Sequence, residues 1–143
     1  MTVSPALASR LSDTGLLTDR AFVGGVWMSA EDAGKSFEVT NPATGEVLAV
    51  LPDIAVAETR RAIDVAEKAQ KAWAKRTGKD RSAVLKAWHR LWVESADDLA
   101  AILTAEQGKP LAEARGEVLY GAAYLEWFAE EAKRIYGDTI PGH

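Results

Sequence analysis

The apolar residues of this 143-residue chain change period once, near residue 55, and do not change back. Before that point they alternate with period two, as side chains do along a half-buried strand; after it they recur every three to four residues, as on one face of a helix. The order predicts an α/β chain: a hairpin and strand region, then four amphipathic helices.

Within the first part, Phe22-Val23-Gly24-Gly25-Val26-Trp27 sets β-formers on both sides of a glycine pair. Two residues that accept positive φ without steric cost are the signature of a two-residue hairpin. The acid-rich stretch 30–35 reads as a loop. Ser36-Phe37-Glu38-Val39-Thr40 alternates as a strand, and Asn41-Pro42-Ala43-Thr44-Gly45 is a turn, since a residue before proline is pushed out of the α region. Extended chain then resumes over 46–51 and stops at Pro52.

In the second part, Ile63, Ala66, Ala69 or Gln70, and Trp73 form one apolar stripe, with Asp64–Lys68 and Glu67–Lys71 as acid-first i,i+4 pairs. Thr77-Gly78-Lys79-Asp80 has capping-box spacing ahead of a second helix whose inner face carries Val84, Leu85, Trp88, Leu91 and Trp92. Ser95-Ala96-Asp97-Asp98 repeats that start for a shorter third helix with Leu99, Ile102 and Leu103. A fourth runs from 110 to about 136, with Leu111, Ala114, Val118, Gly121 or Ala122, Leu125, Phe128, Ala129, Ala132 and Ile135 inward and Gly137 as its stop.

Composition removes several function classes. The net charge of −4 comes from acids and bases spread along the chain, so no basic patch suggests nucleic acid as a partner. No window approaches the roughly 20 apolar residues that span a bilayer, and Arg10, Asp13, Asp19 and Arg20 interrupt any secretory apolar stretch. A cytoplasmic protein that does not enter the membrane is expected. Cysteine is absent, which excludes disulfides, thiolate metal sites and a thiol nucleophile from these residues.

The candidate sites reduce mostly to structure. Gly108-Lys109 resembles the end of a phosphate loop, but the required glycine and hydroxyl positions hold Leu103 and Pro110. Gly108 instead suits the left-handed stop of the third helix, and Pro110 suits N1 of the fourth. His89 has no second histidine beside it, and His143 carries no inference. Glu126, Glu130 and Glu131 read as a solvated face, with Glu130–Arg134 as an i,i+4 pair. Trp73, Trp88 and Trp92 fall on stripes expected to be core. No G-x-G-x-x-G is present, so no dinucleotide fingerprint and no cofactor-binding residue is assigned. No catalytic residue is assigned either.

Taken in order, the hairpin segment 22–27, Asn41-Pro42-Ala43-Thr44-Gly45-Glu46-Val47, Glu106-Gln107-Gly108-Lys109-Pro110, Glu126-Trp127-Phe128-Ala129 and Tyr136-Gly137-Asp138-Thr139-Ile140-Pro141 resemble the N-terminal part of the aldehyde dehydrogenase superfamily from about residue 16 onward. Within it the wording of 106–117 and 126–143 looks most like NAD(P)-dependent succinate-semialdehyde dehydrogenases. The resemblance implies an oxidoreductase in which a cysteine attacks an aldehyde, hydride passes to NAD or NADP, and a glutamate activates water. It divides the chain into an extension, 1–20, and a truncated piece of a cofactor-binding domain, 21–143. The nucleophile, the glutamate and the cofactor contacts belong to sequence after His143, so this chain alone should be inactive.

The resemblance further implies a homo-oligomer, dimer or tetramer, that covers the strand edges. It also implies a structural monovalent-cation site on the carbonyls of Val39 and Thr40 and the acid Glu106, since carbonyl and carboxylate oxygens suit a hard cation. Two alternatives stay open: a dehydrogenase for another aldehyde, such as betaine aldehyde or glutarate semialdehyde, and a noncatalytic binding scaffold.

Overall fold

The computed structural model describes residues 3–137, 140 and 142. Asp138, Thr139, Pro141 and His143 of the last motif therefore lie outside the described residues, as do Met1 and Thr2. A short helix α1 (Pro5–Ala8) and a 3₁₀ turn (Thr14–Leu16) precede β1 (Ala21–Val23) and β2 (Val26–Met28). Helix α2 (Ala30–Ala33), β3 (Ser36–Thr40) and β4 (Val47–Pro52) follow, and then the helices α3 (Val56–Ala74), α4 (Gly78–Glu94), α5 (Ala96–Gln107) and α6 (Leu111–Glu131).

The α/β order expected from the change of period is the one observed. β1 and β2 form an antiparallel hairpin in which Phe22 faces Trp27 across the ladder. Gly24 and Gly25 turn it at φ +62° and +86°, where a side chain would be strained. β3 pairs with β4, and a register shift after Val39 sets Thr40 opposite Val47, leaving Leu48 as the extra residue of a bulge. The Asn41 side chain makes the turn by accepting the Ala43 N–H at 2.9 Å.

Several expectations are corrected. The stretch 30–35 is not plain loop: Ser29 and Asp32 form a reciprocal capping box that starts α2, and Gly34, left-handed at φ +71°, ends it. Helix α6 stops at Glu131, five residues before the expected end. Pro110 is the N-cap of α6 rather than its first helical residue. Ser95 makes no side-chain cap on α5, because it is at once the C-cap of α4 and the N-cap of α5, at φ −97° and ψ 11°. Glu67 pairs with Lys71 at 3.1 Å, but Asp64 and Lys68 do not pair.

The larger correction concerns the core. Leu7, Leu11 and Leu17 close over Leu48 and Ala105, so the segment ahead of the hairpin is packed against β4 and α5. Helix α6 crosses α4 and α5 on Ala114, Ala122 and Ala129, positions of its expected inner stripe that are almost without solvent contact. Backbones that approach through alanine leave large side chains on the outer faces. Ile63 on α3 is 63% exposed, Trp88 and Leu91 on α4 are half exposed, and Phe128 and Ile135 are exposed as well. Periodicity correctly gave the helices, but α3 buries none of its residues.

Candidate functional site

The junction of α5 and α6 carries the residues that sequence reading singled out. Helix α5 ends because Gly108 takes φ +72°, and its N–H is donated to the Thr104 carbonyl at 2.9 Å. Pro110 then turns the chain into α6, where its carbonyl accepts the Ala114 N–H at 2.9 Å. Lys109 forms an ion pair with Glu117, nearly two turns into α6. The lysine charge is thus committed within the junction, and Gly108-Lys109 presents no cradle for a phosphate.

Glu106, at the end of α5, lines a hollow of about 470 Å³ with Trp92 from α4, Ile102 and Leu103 from α5, and Val118, Tyr120 and Tyr124 from α6. Apart from Glu117, which Lys109 pairs, the walls are mostly apolar, and partial desolvation raises the Glu106 pKa above the ordinary carboxylate value. The Tyr120 and Tyr124 hydroxyls are hydrogen-bonded at 2.6 Å, and that bond raises the Tyr124 pKa. The indole N–H of Trp92 is hidden from solvent and has no acceptor among the described residues.

The three positions expected to share a cation are arranged unevenly. Val39, half-buried, and Thr40, exposed, stand at the register shift that ends β3. The segments are neighbours: a Cβ on Gly108 would lie 3.0 Å from the Pro42 Cγ. Glu106 lines the apolar hollow, whereas Val39 and Thr40 do not. No cluster of three or more His, Cys, Asp or Glu suited to a metal occurs among the described residues.

Among the other candidates, His89 is half-buried on α4. Glu130 is held by Lys133 and Lys86, each at 2.6 Å, and not by Arg134, which pairs with Glu131 at 3.0 Å. These acids are neutralised, as expected of a solvated face, with one partner exchanged. The described strands form two separate antiparallel pairs, so there is no crevice at the ends of parallel strands of the kind that receives a dinucleotide.

Sequence reading missed Asp98. It is buried, and its carboxylate accepts the N–H of Ser12 at 2.9 Å and of Asp13 at 2.8 Å. These two bonds, the Ser12 one larger, hold its pKa below the ordinary value. Asp98 also helps line a cleft of about 590 Å³ with Arg10, Ser12, Asn41, Thr104 and Gly108. The only local signal, its place three residues after Ser95, pointed to a cap it does not make.

Residues 27–143 match the family model described as the aldehyde dehydrogenase family. The chain belongs to that family. It is 57% identical over 134 residues to a glutarate-semialdehyde dehydrogenase of Pseudomonas putida, and 51% identical over the same length to an NADP-dependent succinate-semialdehyde dehydrogenase of Escherichia coli. Each match takes in 94% of this chain and 28% of the relative. A solved aldehyde dehydrogenase from Brucella melitensis biovar abortus superposes with a TM-score of 0.88 at 53% identity, over 92% of this chain and 27% of that one. The α/β piece described above is thus the N-terminal part of the aldehyde dehydrogenase fold. Among the described residues, no helix is long and apolar enough to cross a membrane.

Proposed function

We propose that these residues serve in a longer, cytoplasmic NAD(P)-dependent dehydrogenase that oxidises a short aldehyde bearing a terminal carboxylate, succinate or glutarate semialdehyde, to the dicarboxylate. The observation that carries this is identity above one half, along nearly the whole chain, to enzymes named for those two aldehydes. The pair share an aldehyde at one end and a carboxylate at the other, which betaine aldehyde lacks.

In this reading residues 21–143 are the first part of a cofactor-binding domain, with 1–20 packed on it through Leu7, Leu11 and Leu17. None of these residues is a cysteine, so the nucleophile is supplied by another part of the polypeptide. NAD or NADP, when bound, accepts the hydride, and nothing in the described arrangement forms its site. The contribution of this part is support: α6 is held on α4 and α5, and the two strand ribbons offer edges to the rest of a homo-oligomer. Val39, Thr40 and Glu106 are kept as a proposed monovalent-cation site, favoured by the approach of Pro42 to Gly108 and by a Glu106 carboxylate with no ion pair among the described residues.

The deciding experiment assays the complete polypeptide with succinate semialdehyde, glutarate semialdehyde and betaine aldehyde, each with NAD and with NADP. Preference for the two semialdehydes by kcat/KM is expected. Turnover of betaine aldehyde alone, or of none, would overturn the reading. The 143-residue chain by itself should reduce neither cofactor. Potassium should raise the Tm of the complete protein, and Glu106→Ala should abolish that rise.

A further inference from the structure

We draw no further inference here: the strongest candidate, the apolar hollow between α4, α5 and α6 that Trp92, Tyr120 and Tyr124 line beside Glu106, opens on to an exposed helix face, and nothing in the structure shows what covers it.

Discussion

The carboxylate of Asp98 on α5 accepts the backbone N–H of Ser12 at 2.9 Å, across 86 positions of sequence. A second bond, from the Asp13 N–H, makes the contact two-pronged. It fixes the segment that brings Leu7, Leu11 and Leu17 on to Leu48, so one polar side chain sets the register of an apolar cluster.

Asp98→Ala should leave two backbone donors without their acceptor and lower the Tm by roughly 5 °C. Asp98→Asn, which keeps one acceptor oxygen, should lie between the two. Amide exchange at Ser12 and Asp13 should accelerate in both variants while exchange within α4 changes little. The folded pKa of Asp98 is depressed, so its contribution is present above the ordinary carboxylate value and is lost as pH falls below it. Wild-type amides at Ser12 and Asp13 should therefore lose protection in strong acid, whereas those of Asp98→Ala should show no such step. Equal protection in all three proteins would refute the role given to Asp98.

Gly108→Ala should destabilise by about 1–3 kcal/mol, because a Cβ there is strained at φ +72° and meets the Pro42 Cγ at 3.0 Å. Adding Pro42→Ala relieves only the contact, so the double variant should recover part of the loss. Urea melts of the four proteins separate the two causes. Full recovery would show that the backbone conformation costs nothing, against expectation.

The parts of this fold that were legible in sequence are those in which one residue type dictates one local geometry. Gly24-Gly25 leaves little choice of turn, and Gly108 followed by Pro110 marks a helix stop and start whatever surrounds them. What periodicity does not reveal is whether a helix face has something to pack against. Ile63 and Trp88 lie on well-formed stripes yet stay exposed, whereas Ala114, Ala122 and Ala129, also on an expected inner stripe, are the positions through which the helices approach. The candidate site follows the same division. Glu106 is where its motif places it, at the end of α5, but its apolar surroundings on α4 and α6 are tertiary and have no local signal. Asp98 was obscured because a capping pattern offered a sufficient local explanation.

Two helical glycines should respond to the same substitution with opposite signs. A Cβ on Gly78 would lie 2.4 Å from the Ala132 carbonyl oxygen, a backbone atom that cannot step aside. Gly78→Ala should therefore separate α4 from the end of α6 and cost about 2 kcal/mol or more. Gly116, inside α6, has nothing within 4 Å of its would-be Cβ. Gly116→Ala should stabilise by about 0.5–1 kcal/mol through helix propensity alone. Thermal melts of the two variants test this close approach directly, and a neutral Gly78→Ala would contradict it.

Glu130 offers a titration with a definite sign. Lys133, the larger influence, and Lys86 both donate to its carboxylate at 2.6 Å and hold its pKa down to about 2. A folded pKa below the unfolded one means that the stabilisation is present above the ordinary carboxylate value and is lost as pH falls through about 2. The site is exposed, so salt should screen the effect and move the midpoint upward. Lys133→Ala should raise the Glu130 midpoint more than Lys86→Ala does. Of the two lysines only Lys86 reaches over from α4, so only its loss should also loosen α4 from α6. Carboxyl carbon NMR across the acid range reads the midpoint in each variant; the opposite order would mean that the interhelical lysine, and not its neighbour on the chain, controls the charge of Glu130.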